Sequence, residues 1–191
     1  MRCLSCHKWS LKTFCYACQT RLLKPSISKR QLGSLEVYSF FKYQNIEDLL
    51  LTKHTTQGFM LYRALAQISF RPFIQTFMRE DSRKLYVVGI DESVKGGYSH
   101  VSLLTHEMRH PHTQILHAKL MATNPVTYAG KSLHYRLTNP RYFRYSGLSN
   151  IKVILVDDII TTGTTLQEAK TVLAGVGVEV LFALTLADAK S

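Results

Sequence analysis

The sequence predicts an α/β protein built on a parallel sheet, with a small cysteine-rich unit in front of it. Two observations predict this class. Apolar runs with the length of strands alternate with segments of helical periodicity over most of the 191 residues. All four cysteines lie between Cys3 and Cys18, in a polar segment poor in branched aliphatic residues. The hydrophobic fraction of 46% and the charged fraction of 19% are those of folded proteins rather than disordered or fibrous ones.

The main domain is expected to span residues 32–191, after a cysteine unit and linker over residues 1–30. Branched and aromatic runs indicate strands, and apolar residues three and four apart indicate helices. The predicted strands are 35–41, 85–90, 114–117, 152–156 and 178–186, and the predicted helices are 46–51, 59–70, 72–78, 99–108 and 165–174. Residues 119–145 are expected to be irregular and basic. This alternation predicts a parallel sheet flanked by helices.

The formal net charge of +11 is concentrated in two stretches of the chain. No acidic residue precedes Glu36, and none lies between Glu107 and Asp157. Such stretches are typical of a surface that meets a polyanion, but also of an ordinary solvated surface, and charge alone leaves both open. The apolar runs are too short to cross a membrane or to form a signal peptide, so we expect a cytoplasmic protein, able to act at the inner face of the membrane.

The run 153–165 is the most informative segment of the sequence. Four apolar residues predict a central strand that ends in Asp157 and Asp158, and a turn rich in Thr and Gly then opens a helix. Open parallel sheets bind ligands at this edge, and the N-terminus of a helix favours phosphate. We predict that Asp157 and Asp158 accept hydrogen bonds from ribose hydroxyls, directly or through a metal. The predicted ligands of a 5-phosphate are Thr161, Thr162, Gly163, Thr164 and Thr165.

The cysteines form two pairs, Cys3-x-x-Cys6 and Cys15-x-x-Cys18. This spacing is typical of a four-thiolate zinc site without an open position, in which the metal is structural. Redox motifs and disulfides are the competing interpretations. Neither pair precedes a helix of the thioredoxin type, and cytosolic proteins rarely keep disulfides. A zinc knuckle would fold the N-terminus or present Lys8, Trp9 and Lys12 to a partner.

The run 153–165 resembles the phosphoribosyl-pyrophosphate (PRPP) motif of type I phosphoribosyltransferases. Together with the four-cysteine knuckle it is similar to the ComF/GntX family, phosphoribosyltransferase-like proteins linked to natural competence and DNA uptake. The resemblance implies a type I phosphoribosyltransferase-like sheet with a hood region near residues 59–78. It also implies PRPP as the ligand, Mg²⁺ bound mostly through PRPP and water, and a competence helicase as a partner.

Two further segments carry this resemblance. Residues 85–92 are similar to the strand and loop that hold pyrophosphate, which implies phosphate-binding roles for Asp91 and Lys95. The chain departs from the family at Gly96, where an arginine is usual, and the carboxylates Asp91 and Glu92 would repel pyrophosphate unless a metal intervenes.

The basic stretch 119–145 resembles the flexible loop that closes over PRPP. This implies that Lys131 and Arg136 neutralise pyrophosphate and act with Asp157 and Asp158 as catalytic residues. A solvated loop with surface charges is the alternative. Aromatic residues alternate with the cations here, which is also typical of a groove for single-stranded DNA, unless these rings fill the core. The candidate DNA-binding residues are Lys119, Lys131, Arg136, Arg141 and Arg144.

Two functions therefore remain open. One is a competence protein that binds single-stranded DNA and keeps the PRPP site as a ligand sensor or as a vestigial pocket. The other is an active phosphoribosyltransferase that transfers ribose 5-phosphate to a nitrogen base or amine. A transcription factor is not favoured, because no segment has a helix-turn-helix pattern. The spacing of the histidines assigns them no role.

Overall fold

The chain forms seven helices and seven strands in the part that the computed structural model describes, residues 2–52, 55–80, 83–91, 98–124, 126, 128 and 132–190. The helices are α1 (Tyr16–Arg21), α2 (Tyr43–Leu50), α3 (Thr56–Ile68), α4 (Phe70–Glu80), α5 (His100–His106), α6 (Leu133–Thr138) and α7 (Thr164–Ala174). The strands are β1 (Ser28–Leu32), β2 (Leu35–Lys42), β3 (Leu85–Asp91), β4 (Thr113–Ala122), β5 (Phe143–Tyr145), β6 (Lys152–Ile160) and β7 (Glu179–Asp188).

The seven strands form one sheet in the order β1-β2-β7-β6-β3-β4-β5. Strands β2, β7, β6, β3 and β4 are parallel to one another, which confirms the predicted parallel α/β fold. The edge strands β1 and β5 are antiparallel. A tight turn at Gly33, whose φ is 58°, joins β1 to β2, because antiparallel neighbours need no crossover.

The two faces of the sheet are covered by different elements. Helices α3, α4 and α5 cover one face and share a core with it that includes Leu65, Phe70 and Leu104. Helix α7 covers the other face, with Leu166 and Leu173 buried against the sheet. Strand β6 serves both cores, since side chains alternate along a strand: Ile154 and Val156 face α3–α5, whereas Val153 and Leu155 face α7.

Several elements extend beyond the predicted limits. Strand β6 continues to Ile160 because its neighbour β7 runs on to Asp188 and pairs with it there. The prediction that 119–145 is irregular was wrong in three places: β4 reaches Ala122, and α6 and β5 lie further on. Ala118 has a φ of 50° and interrupts the extended backbone of β4, so the alternation of side chains that indicates a strand in the sequence stops there.

The N-terminal segment packs onto the main domain. Cys3, Phe14, Cys18 and Leu23 are buried in the same core cluster as Phe40 of β2. Residues 28–30, expected to end a linker, form the first part of β1. Residues 59–78, where a hood region is predicted, lie in α3 and α4 and supply buried residues to the core of the sheet.

Candidate functional site

The turn between β6 and α7 contains the predicted phosphate ligands and is named the phosphate loop here. Gly163 caps α7 with φ at 85°, a left-handed conformation that side chains disfavour. The hydroxyl oxygens of Thr162 and Thr164 lie 3.1 Å apart, on either side of this glycine. A Cβ atom at Gly163 would lie 2.3 Å from Cδ1 of Leu32, so the backbone and the β1 hairpin are in close contact here.

Asp157 and Asp158 lie next to each other within β6, so their side chains start on opposite faces of the sheet. Asp157 continues the face that α7 covers, and its Oδ1 accepts a hydrogen bond from the N–H of Asp158 at 2.8 Å. Asp158 continues the face of α3–α5, and its Oδ1 accepts from the N–H of Ile159 at 2.8 Å. The two carboxylates thus flank the end of the strand that leads into the loop.

His100, at the start of α5, lies beside Asp158. Its Nε2 is 3.7 Å from Oδ2 of Asp158, and both side chains are largely buried. The histidine spacing gave no signal for this contact, because residues 100 and 158 meet only when α5 packs on β6. His100 is therefore a site residue that the sequence interpretation missed.

Tyr62 of α3 lies beside His100, on the face of the sheet that α3–α5 cover. Its side chain is fully buried, its ring lies 5.5 Å from that of His100, and its hydroxyl has no hydrogen-bond partner among the described residues. Burial, followed by the negative charge of Asp158, raises the pKa of Tyr62 far above its usual range. The hydroxyl therefore stays protonated near the carboxylate of Asp158.

Arg136 of α6 reaches the phosphate loop. Its Nη1 donates to Oγ1 of Thr161, and its Nη2 donates to the carbonyl of Tyr128 at 2.9 Å. Of the cations predicted to neutralise pyrophosphate, this one lies against the predicted phosphate ligands. The other, Lys131, lies outside the described residues, as do Lys95 and the side chain of Asp91.

The segment beyond α6 is fastened to α7. Glu168 accepts hydrogen bonds from the backbone N–H groups of Arg141 and Tyr142, at 3.1 and 2.7 Å. The guanidinium of Arg141 lies 4.5 Å from the ring centre of Tyr128, and the residue is only 8% exposed. Arg144, in contrast, is exposed on β5, and Lys119 is half-buried on β4.

Arg30 of β1 contacts the loop from the opposite side. Its Nη1 donates to the carbonyl of Thr161 at 2.8 Å and to Oδ1 of Asp188 at 3.2 Å. From the sequence, Arg30 is expected to lie in a basic linker. The contact could not be predicted, because Arg30 and Thr161 are 131 residues apart along the chain.

The four cysteine sulfurs form a second candidate site. Their ligand atoms all lie within 4.8 Å of one another, and all four are free thiols. Sγ of Cys6 and Sγ of Cys15 are 3.6 Å apart, and the backbone N–H of Cys15 donates to Sγ of Cys3 at 3.3 Å. Tetrahedral coordination with Zn–S bonds of about 2.3 Å requires sulfurs about 3.8 Å apart, so this cluster fits a zinc ion.

The thiols differ in their electrostatic surroundings. Burial opposes ionisation of Cys3, but hydrogen bonds from the backbone of Cys15, Cys6 and Ser5 outweigh it and lower its pKa to about 6. Burial, aided by the neighbouring thiols, raises the pKa of Cys18 to about 12. A cation at the centre of the cluster would favour the thiolate at every position.

The C-terminal part of the chain is similar to a known domain family. Residues 100–191 match the phosphoribosyl transferase domain. The matched part includes His100, both carboxylates, the phosphate loop and α7. The chain thus has a phosphoribosyltransferase-type fold, a seven-stranded sheet flanked by helices, with a four-cysteine cluster at its N-terminus.

Solved structures similar to this chain include a hypoxanthine, an adenine and an orotate phosphoribosyltransferase. A hypoxanthine phosphoribosyltransferase from Staphylococcus aureus is 21% identical, with 64% of this chain and 62% of that chain covered and a TM-score of 0.41. An adenine phosphoribosyltransferase is 14% identical, with 87% and 86% covered and a TM-score of 0.41. An orotate phosphoribosyltransferase from Mycobacterium tuberculosis H37Rv is 16% identical, with 90% and 82% covered and a TM-score of 0.41.

The chain spans about three fifths of the length of the Staphylococcus aureus structure. No match was found among curated protein sequences. Among the described residues, no helix is both long enough and apolar enough to cross a membrane.

Proposed function

We propose that this protein binds PRPP with Mg²⁺ in a phosphoribosyltransferase-type site and handles single-stranded DNA during natural transformation, as a member of the ComF/GntX family. One observation carries the ligand part of the proposal. Strand β6 carries two carboxylates, Asp157 and Asp158, near its C-terminal end, and the next turn bends through a left-handed Gly163 into the N-terminus of α7. Acceptors for ribose hydroxyls and donors for a phosphate thus follow each other at one edge of the sheet.

The residues of the site would divide the ligand between them. The backbone and hydroxyls of the segment from Thr161 to Thr165 would hold the 5-phosphate, and Asp157 and Asp158 the ribose hydroxyls. Arg136 would turn from Thr161 towards the pyrophosphate. Bound Mg²⁺ would neutralise part of the negative charge of PRPP. His100, held against Asp158, would keep that carboxylate in place.

Exposed cations and aromatic rings support the DNA part of the proposal. Tyr142 is 61% exposed, and Arg144 on the neighbouring strand is exposed as well. On the knuckle, Trp9 and Tyr16 are 82% and 83% exposed in a segment without acidic residues. Exposed rings stack on bases and cations track the phosphates, which suits a single strand. A competence helicase is the protein partner that this role implies.

The cysteine cluster supports a structural zinc in this proposal. Its thiolates leave no open position for substrate, and two of them lie in the main core. The metal would fold the knuckle onto the sheet.

The second candidate function is phosphoribosyl transfer, favoured by the intact loop and by the contact of Arg136 with it. In this reaction the lone pair of a nitrogen nucleophile forms a bond to ribose C1. The C1–O bond breaks, pyrophosphate leaves with its electron pair, and the nitrogen gives up its proton to water or to a base. The cations of the loop would stabilise the charge on the leaving group.

The first experiment measures PRPP binding by calorimetry in the presence of Mg²⁺, for the wild type, Asp158→Asn and Asp48→Asn. We expect Asp158→Asn to weaken PRPP binding at least about tenfold, because a neutral amide attracts hydroxyl donors and Mg²⁺ less than a carboxylate. Asp48 is exposed on α2 and serves as the control. Absence of PRPP binding by the wild type would refute the ligand part of the proposal.

A second arm measures affinity for a labelled single-stranded oligonucleotide over a salt series. Arg144→Ala should weaken binding and reduce the salt slope by about one. Arg109→Ala is the matched control, since this exposed arginine precedes β4 and lies at the opposite end of the parallel strands. Equal affinities of both variants for the oligonucleotide would argue against DNA binding at the surface around Arg144. Consumption of PRPP in the presence of a nitrogen base would favour the transferase.

A further inference from the structure

The hairpin of β1 and β2 contacts the phosphate loop and its helix at three points. Arg30 donates to the carbonyl of Thr161, Leu32 lies against Gly163, and Ser34 accepts a hydrogen bond from Nζ of Lys170 at 2.7 Å. These contacts follow the loop from its first residue into α7. The hairpin therefore packs against the loop and supports it, on the side away from Arg136.

Arg30 also balances a buried charge next to the loop. Asp188 ends β7 and pairs in the sheet with Ile160, the residue before the loop. Its side chain is 5% exposed, and its Oδ1 accepts hydrogen bonds from Arg30 and from the N–H of Lys190, the latter at 2.8 Å. A carboxylate at this place would repel a bound phosphate, and the guanidinium of Arg30 offsets that repulsion.

The hydrogen bond to Thr161 also fixes the orientation of a peptide group. The peptide between Thr161 and Thr162 is trans, as are all the described peptide bonds, so its C=O and N–H point in opposite directions. Because Arg30 holds the C=O on the hairpin side, the N–H of Thr162 points away from the hairpin. A preset N–H donor binds an anion without the cost of turning the peptide.

We propose that Arg30 is a positioning residue for the phosphate loop. Arg30 fixes the orientation of the Thr161–Thr162 peptide and offsets the negative charge of Asp188, so that the loop accepts the 5-phosphate of a ribose phosphate. This inference rests on the proposed PRPP site and adds to it a residue that touches no ligand. The chain itself supplies a matched control. Lys29, the preceding residue of the same strand, points to the other face and pairs with Glu36 at 2.5 Å on the surface.

The test compares Arg30→Gln, Arg30→Lys and Lys29→Gln with the wild type, by calorimetry with two probes, ribose 5-phosphate and pyrophosphate with Mg²⁺. Arg30→Gln should weaken the affinity for ribose 5-phosphate by about tenfold or more, the value of one charged hydrogen bond. Its affinity for pyrophosphate should change less than about twofold, since that ligand does not use the loop. Arg30→Lys, which keeps the charge, should recover part of the affinity, and Lys29→Gln should match the wild type.

Each outcome separates the inference from the function on which it rests. A wild type that binds neither probe refutes the proposed site itself. A wild type that binds both, with Arg30→Gln equal to Lys29→Gln, overturns only the role of Arg30. Equal loss of both probes in Arg30→Gln would make Arg30 a general structural residue and also overturn it. If Arg30→Gln does not fold, Arg30→Lys decides by the same comparison, and failure of both to fold again means a structural role.

Discussion

At the scale of single residues, Tyr62 places a buried hydroxyl beneath the carboxylate site without a partner among the described residues. An unpaired buried hydroxyl destabilises a fold, because it has lost its hydrogen bonds to water. We therefore expect Tyr62→Phe to raise the free energy of unfolding at pH 7 by about 1 kcal/mol, measured by urea denaturation. Tyr16→Phe, at an 83% exposed position, is the control and should change little.

The same residue predicts a pH dependence. Burial raises the pKa of Tyr62 in the folded protein, so the unfolded chain loses this proton first as the pH rises. Ionisation of Tyr62 therefore leaves the free energy of unfolding of the wild type unchanged below the ordinary tyrosine pKa of about 10 and lowers it above that pH. The advantage of Tyr62→Phe over the wild type should grow between pH 7 and about pH 10.5. A variant less stable than the wild type at pH 7 would mean that the hydroxyl has a partner, such as a buried water.

Residues of the site differ in how far the sequence could predict them. Asp157, Asp158 and the threonines all lie in the single run 157–165, so their order along the chain already contains the pattern of strand, turn and helix. His100, Tyr62 and Arg30 come from three other elements, and each reaches the site only through packing. A single sequence has no local signal for such contacts, and a lone arginine in a basic stretch looks like surface charge.

At the scale of elements, the close approach of β1 to the phosphate loop makes Gly163 and Gly33 a useful pair. Both have positive φ, but a Cβ atom would meet Leu32 at Gly163 and nothing within 4 Å at Gly33. Gly33→Ala should cost about 1 kcal/mol of folding free energy from backbone strain alone. Gly163→Ala should cost about 2 to 4 kcal/mol, since the collision adds to the strain.

Combination with Leu32→Ala isolates the collision. If it exists, the double variant Gly163→Ala with Leu32→Ala should be more stable than the sum of the single changes, whereas Gly33→Ala with Leu32→Ala should be additive. Chemical denaturation of the six proteins, the wild type included, measures both couplings. Additive behaviour at Gly163 would show that the leucine moves aside freely.

The elements themselves were predictable where their patterns are strong. The central strands β3, β6 and β7 are buried on both faces and form continuous apolar runs. The edge strands β1 and β5 were missed because each is short and basic, and because pairing with a neighbour, rather than burial, defines them. Where β6 ends was also unpredictable, since its length depends on β7.

At the scale of the whole molecule, the cysteine cluster and the sheet share one hydrophobic core, so loss of metal should affect both. We expect one zinc per chain by atomic absorption and a fall in Tm of roughly 5 °C or more on chelation, because the four thiols would no longer be held together. Cys18→Ser should lower zinc content and Tm alike. A protein without zinc, or with a Tm that chelators leave unchanged, would contradict the structural metal and favour thiol chemistry.

The β5 margin of the sheet carries the exposed cation Arg144, whereas Lys29 at the β1 margin is paired with Glu36. An open sheet edge is a template for other strands, and like charges there discourage two copies from joining edge to edge. The positive charge that suits a polyanion thus also protects the protein from self-assembly. A bound polyanion would remove this protection, so that at low salt a long strand should draw copies of the protein together, and salt should disperse them.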